Sequence, residues 1–81
     1  MNDPNWKSTF MNALASGGTK FTVFLDDLKG VGVYDKVMTS VARNARAIGG
    51  ATDFELSQLY QAGRLGSVDF VENGALQTNP F

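Results

Sequence analysis

The sequence predicts an all-α fold, a compact single domain of four or five short helices joined by glycine turns. Apolar residues recur at helical spacing along most of the chain, and nine glycines fall between the periodic segments. A chain of 81 residues builds one small core. Residues 1–81 are therefore predicted to form one domain, with residues 75–81 as an extended C-terminal tail.

The first predicted helix lies between an N-terminal cap and a glycine pair. Asp3 is a favourable N-cap residue, and Pro4 is well tolerated at the first helical position. The apolar residues that follow share one face of the helix: Trp6, Phe10, Ala13 and Leu14. The pair Gly17-Gly18 is expected to end the helix.

The second predicted helix covers residues 19–30, which read "TKFTVFLDDLKG". Its apolar residues have the spacing i, i+3, i+4, i+7, which is typical of one helical face: Phe21, Phe24, Leu25 and Leu28. A competing interpretation makes residues 20–25 a strand, because they are rich in β-branched and aromatic side chains. Residues 68–71, "VDFV", carry the same ambiguity. The alternative fold is therefore α+β with a small two-stranded element.

The third predicted helix covers residues 34–48 and separates an apolar from a basic face. At about 100° per residue its apolar residues cluster on one side: Tyr34, Val37, Met38, Val41, Ala45 and Ile48. Lys36, Arg43 and Arg46 lie on the opposite side and are called the basic strip below. A solvated helix face is the simplest interpretation of such a strip.

Two further helices are predicted in the last third of the chain. Thr52 and Glu55 have the spacing of a capping box, and Gly63 is expected to end the helix that they start. A fifth short helix is predicted to begin at Ser67 and to end near Gly74.

The chain contains no cysteine and no histidine, which removes several classes of chemistry. Disulfides, thiolate nucleophiles, zinc and iron–sulfur sites with these ligands, and histidine-based triads are excluded. We therefore expect no catalytic residues, no metal site, no cofactor and no small-molecule substrate. A carboxylate hydrolase is a third-ranked hypothesis, and it requires Asp26, Asp27 or Asp35 to converge in a cleft.

No stretch of the sequence resembles a membrane span. The longest apolar run, Phe21 to Leu25, is far shorter than the roughly 20 residues that a spanning helix needs. The first ten residues lack the basic and apolar regions of a secretory signal. The expected location is cytoplasmic, or within a macromolecular assembly such as a virion.

Charge is unevenly distributed along the chain. Residues 28–50 carry four positive charges and one negative, whereas residues 51–81 carry one positive and four negative. A nucleic-acid footprint needs several cations on one face of a basic domain, and this chain has a net charge of −1. After the solvated helix face, the next interpretation of the basic strip is therefore contact with an acidic protein surface, which could be a neighbouring copy's C-terminal segment, and nucleic acid comes last.

Nine aromatic residues are many for so small an interior. Aromatic side chains anchor protein interfaces, and four are candidates for a partner-binding patch: Trp6, Phe10, Phe54 and Phe81. The alternative is that they pack inside the monomer.

The predicted function is a non-catalytic protein-binding or assembly component, such as a virus- or phage-encoded structural or inhibitor protein. Its partner would be another protein or copies of itself. The alternative is a small nucleic-acid-binding regulator.

Overall fold

A computed structural model of the chain describes residues 5–18 and 20–81, which form three α-helices and a three-stranded mixed sheet. In chain order the elements are α1 (Trp6–Ser16), β1 (Thr22–Phe24), α2 (Gly32–Ala45), α3 (Ala51–Gln61), β2 (Asp69–Glu72) and β3 (Ala75–Leu76), with a 3-10 turn at Leu65–Ser67. The fold is α+β, so the predicted all-α fold of four or five helices is wrong. The α+β alternative is closer, although the sheet has three strands instead of two.

The first helix agrees with its sequence pattern. Phe10 is buried, and the remaining residues of the predicted apolar face are half-buried. Gly17 caps the C-terminus with φ 78°, and its N–H donates to the carbonyl of Leu14 at 3.3 Å. Glycine adopts this left-handed conformation without strain. The predicted end of the first helix at Gly17 is therefore confirmed. The predicted cap and first turn at Asp3 and Pro4 lie outside the described residues.

The predicted second helix is wrong, because its central residues form strand β1. The side chains of Phe21, Val23 and Leu25 alternate along an extended chain and point into the core, while Thr22 and Phe24 are exposed. This period of two is that of a half-buried strand. The helical spacing of the same apolar residues is therefore coincidental, and long-range pairing decides between the two patterns.

The predicted fifth helix is also wrong, since β2 and β3 form a hairpin there. Strand β2 runs parallel to β1 and antiparallel to β3, so it is the central strand. The hairpin turn is Asn73-Gly74, with φ of 53° and 76°. Positive φ at both positions suits a two-residue turn whose twist matches that of the strands, and Asn-Gly is the preferred sequence for it.

Helix α2 buries only the central part of its predicted apolar face. Val37 is buried as expected, but Tyr34 is 58% exposed and Ile48, beyond the helix end, is 54% exposed. Ser40 is buried in their place. Ser40 faces α3, where its hydroxyl donates a hydrogen bond to Asp53.

Helix α3 begins one residue before its predicted cap. Gly50 is the N-cap residue, and its N–H donates to Oδ2 of Asp53 at 2.8 Å. The acid that closes the first turn is therefore Asp53, and the predicted pairing of Thr52 with Glu55 does not form the cap. An acid in the first turn also interacts favourably with the helix dipole.

The core lies between the helices and one face of the sheet. Nine apolar side chains are buried there: Phe10, Val23, Leu25, Val37, Leu56, Leu59, Leu65, Val68 and Phe70. Val23 and Phe70 are partners in the strand register, so the inner face of the sheet contributes directly to the core. None of the helices in the described ranges is long and apolar enough to span a membrane.

The C-terminal segment folds back onto the body of the protein. Ala75 and Leu76, within the predicted tail, form β3. The side-chain amide of Asn79 then donates to the carbonyls of Leu65 at 2.8 Å and Val68 at 2.9 Å. These bonds fix residues 77–81 against the 3-10 turn.

Candidate functional site

An exposed row of apolar side chains crosses the outer face of the sheet. The register pairs Phe24 with Val71 and Val71 with Leu76, and paired residues share a face. Phe24 is 65% exposed and Leu76 is 68% exposed, while Val71 between them is half-buried. A sheet with one solvated face usually presents polar residues to water. These three residues, the apolar row, are therefore candidates for contact with another molecule.

The sheet is also open at its β1 edge. The N–H of Asp69 donates to the carbonyl of Phe21, and the N–H of Leu25 donates to the carbonyl of Val71. Backbone groups alternate in direction along a strand, so Thr22 and Phe24 point their N–H and C=O groups away from β2. Among the described residues nothing pairs with these four groups, and an unpaired edge is a template for strand addition.

A groove of about 190 Å³ runs beside this open edge. Its walls come from β1, from the turn that follows it and from the first turns of α3, and include Asp27, Thr52 and Glu55. The described part of the chain thus leaves space next to β1. Burial raises the pKa of the Glu55 carboxyl above its ordinary value.

The basic strip is largely occupied by contacts within the chain. Lys36 forms an ion pair with Glu72 of β2, and its side chain is only 13% exposed. The acidic C-terminal segment therefore meets the basic helix of its own chain. Arg43 pairs with Asp53 through Nε and Oδ2 at 3.5 Å, and Arg46 is exposed at the helix end. The predicted continuous basic surface is reduced mainly to Arg46 and part of Arg43.

Asp53 is the centre of a polar network between α2 and α3. The Ser40 hydroxyl donates to Oδ1, and the Gly50 N–H and Arg43 meet Oδ2. Burial alone would raise the pKa of this carboxyl, but the bonds from Ser40 and Gly50 and the Arg43 charge outweigh burial and lower the pKa. Ser40 is 1% exposed. Its hydroxyl therefore stabilises a buried charge and is not accessible to a substrate.

This network borders a cleft of about 270 Å³ between α2, α3 and the residues that follow β1. The ionisable side chains of its wall are of both signs: Asp27, Lys29, Lys36, Arg43 and Asp53. The charges largely compensate one another, since two of the three cations are paired. No cluster of three or more acidic side chains suited to a metal ion occurs in residues 5–18 and 20–81.

The three aspartates of the hydrolase hypothesis have separate surroundings. Asp26 accepts the N–H of Asn73 at 2.8 Å, and Asp35 accepts the N–H of Val31 at 2.8 Å. Asp27 alone lines the cleft. Asp26 and Asp35 thus order two turns and do not converge on the cleft.

The predicted aromatic patch divides into an internal and a surface part. Trp6 and Phe54 meet edge to face with ring centres 5.6 Å apart, and Phe10 lies 6.2 Å from Phe54. These three rings join α1 to α3. Phe81 is 39% exposed and stacks on Tyr34 with ring centres 5.3 Å apart. Of the four rings, Phe81 is the most accessible on the surface.

The residues of the open sheet were not among the predicted site residues. The helical pattern predicts Phe24 on the inner face of a helix, and Val71 and Leu76 fall in a predicted short helix and in the predicted tail. The Asn73-Gly74 pair was the signal that could have identified the hairpin. The pairing of β1 with β2 has no comparable local signal.

Comparisons of the chain with protein-family models, with curated proteins and with solved structures gave no significant match.

Proposed function

We propose that the chain is a non-catalytic assembly component that associates with copies of itself through the open sheet. The observation that carries this proposal is Phe24, which belongs both to the apolar row and to the unpaired β1 edge. Phe24 combines an exposed aromatic ring with backbone N–H and C=O groups that have no partner among the described residues. Both features suit contact with another protein.

The chemistry of the cleft supports a non-catalytic role. Its serine is buried, and its carboxylate Asp53 is held in the charged form by Ser40, Gly50 and Arg43. A general base needs a pKa near the working pH, whereas this carboxyl is shifted in the opposite direction. The polar groups of the cleft therefore serve the contact between α2 and α3.

The pairing of the basic strip favours a protein partner over nucleic acid. Binding to nucleic acid depends on cations that neutralise several phosphates. Lys36 would first have to leave Glu72, and Arg43 would have to leave the buried Asp53. The loss of these two ion pairs opposes nucleic-acid binding. The apolar row is therefore the stronger candidate for a binding surface.

The free energy available at this contact is comparable to the cost of association, so the association is expected to be reversible. Full burial of a large apolar side chain contributes about 1.5–3 kcal/mol, so the exposed part of Phe24 offers about 1–2 kcal/mol per copy. Hydrogen bonds at the edge add about 0.5–1.5 kcal/mol each. Association itself costs about 4–15 kcal/mol. We therefore expect an oligomer that dissociates on dilution.

The test is the molar mass in solution, measured by light scattering from about 10 µM to 1 mM, the range that corresponds to weak dissociation constants. The mass of the unchanged chain should rise with concentration above the 8.7 kDa of one chain. Phe24→Ser should remain at the mass of one chain, because it removes the exposed ring.

Ile48→Ser is the matched control. Ile48 is 54% exposed in the connection between α2 and α3 and belongs neither to the apolar row nor to β1, so its replacement should leave the concentration dependence unchanged. A strict monomer at every concentration, or equal behaviour of the two serine variants, would refute the proposed function.

A further inference from the structure

We propose that the groove between β1 and α3 binds an extended segment of another protein, which adds a strand to the free edge of β1 and places a lysine or arginine side chain against Asp27 and Glu55. This inference goes beyond the proposed self-association, because it assigns a different occupant to the edge and does not require a second copy. The observations that carry it are the acids of the groove wall, the unpaired backbone of the edge and the alternation of side chains along a strand.

The ionisable side chains of the groove wall, within the described part of the chain, are both acids. Asp27 lies in the turn that follows β1, and Glu55 lies in α3. Neither carboxylate forms an ion pair or a hydrogen bond within residues 5–18 and 20–81. The groove wall therefore carries negative charge that the described monomer does not compensate, and a cationic side chain is the complementary group.

The position of Glu55 opposes the stability of the monomer. Its side chain is half-buried, and burial raises the pKa of the carboxyl, so the charged form is disfavoured where it lies. Asp53, two residues earlier, is also buried, but three groups of its own chain bind its charge. An acid that is partly desolvated without such partners is typical of a binding site, because a ligand can supply the missing cation.

The backbone of the β1 edge can receive an added strand. Thr22 and Phe24 direct their N–H and C=O groups away from β2, and no described residue bonds to these groups. The groove of about 190 Å³ runs along Thr22, Val23 and Phe24, so it offers space where an added strand would lie. In strand addition, backbone hydrogen bonds give affinity and the alternate side chains give specificity.

Alternate side chains of the added strand meet two different surroundings. A residue opposite Val23 lies on the inner face of the sheet, which the helices cover, and is directed towards the α3 wall with Glu55. Its two neighbours in the segment lie on the outer face beside Thr22 and Phe24, where the Phe24 side chain is 65% exposed. The recognised segment therefore has a cationic residue between two apolar residues.

The probe is a capped peptide of sequence Thr-Val-Lys-Val-Thr, titrated into the isotope-labelled chain and followed by NMR. At about 50 µM chain the weak self-association is expected to be largely dissociated, so the titration reports peptide binding. The amide signals of Thr22, Phe24 and Glu55 should shift. A peptide with glutamate in place of lysine should bind at least about tenfold more weakly, because the groove wall is acidic. A lysine peptide that is N-methylated at its three central residues should not bind, because it cannot donate to the β1 carbonyls.

Glu55→Gln is the decisive variant, because it removes a charge of the groove wall without a loss of stability. It should bind the lysine peptide about threefold to fivefold more weakly, as expected for the loss of one partly exposed ion pair. Asp27→Asn should weaken binding about twofold, since Asp27 is exposed. Asp69→Asn is the matched control, because it removes the same charge from β2, outside the groove wall, and should bind the peptide normally.

Several results would overturn the inference. Absence of binding up to about 5 mM lysine peptide would refute it outright. Equal affinity for the lysine and glutamate peptides, or equal affinity of Glu55→Gln and Asp69→Asn for the lysine peptide, would refute recognition of a cation by this wall. Binding of the N-methylated peptide would show attraction of the cation without strand addition. The two proposals fail separately, since light scattering of the chain alone tests self-association and the peptide titration tests the groove.

Discussion

Asp53 is the one acid buried among the described residues, and its surroundings show how a small core accommodates a charge. It is 7% exposed and receives bonds from both helices that it joins. Its role could be predicted only in part from the sequence. The sequence predicts a helix that starts near Asp53, but Ser40 and Arg43 reach this acid through the packing of α2 against α3, which helical periodicity does not specify.

Asp53→Asn should lower the free energy of unfolding by about 1–3 kcal/mol near neutral pH, because the amide cannot replace the charged partner of Arg43. The pKa of Asp53 is lower in the folded than in the unfolded chain. Its contribution to stability is therefore present above the ordinary pKa of aspartate and is lost as the pH falls through the folded pKa. Urea unfolding measures the free energy of unfolding of Asp53→Asn and of the unchanged chain. The difference between these two free energies should be smaller below about pH 3 than at neutral pH.

Glu55→Gln provides the matched control in the same helix. Burial raises the pKa of Glu55 in the folded chain, so the protonated form favours folding at low pH and that contribution is lost as the pH rises. The amide variant should therefore be as stable as the unchanged chain, or slightly more stable, at neutral pH. An equal loss in the free energy of unfolding at neutral pH in Asp53→Asn and Glu55→Gln would contradict the opposite roles assigned to these two acids.

At the scale of elements, the helices were easier to predict than the strands. Helix α1 and its glycine stop follow from local spacing and capping. Strand β1 has only three residues, and its partner β2 lies more than 40 residues further along the chain. Local spacing contains no information about such pairing, so a helix and a strand explained residues 20–25 equally well. The apolar row cannot be predicted from local spacing, because its residues become neighbours only through the register of the three strands.

Gly74→Ala should lower the free energy of unfolding by about 1 kcal/mol, since Gly74 has φ 76° in the hairpin turn and a side chain is strained there. Gly18→Ala is the matched control, because a Cβ at Gly18 meets no atom within 4 Å and the residue lacks a positive φ. Denaturant unfolding of both variants measures the difference. Equal stabilities would show that the Asn73-Gly74 turn does not have this conformation.

At the scale of the whole molecule, the size of the chain explains why the sheet stays open. Three helices cover one face of the sheet, and a chain of 81 residues has little left to cover the other. The charge asymmetry of the sequence is partly resolved within the monomer by the contact of Lys36 with Glu72. The apolar row and the β1 edge are the surfaces that we propose for a partner.

The measurement that tests self-association through β1 most directly is the amide hydrogen exchange of Thr22 and Phe24, followed by NMR at high and low protein concentration. Both amides should be protected in the concentrated sample and should exchange rapidly on dilution, because their bonds form only between copies. The Val23 amide, which points towards β2, should stay protected in both samples. Rapid exchange of Thr22 and Phe24 at every concentration would contradict self-association through this edge.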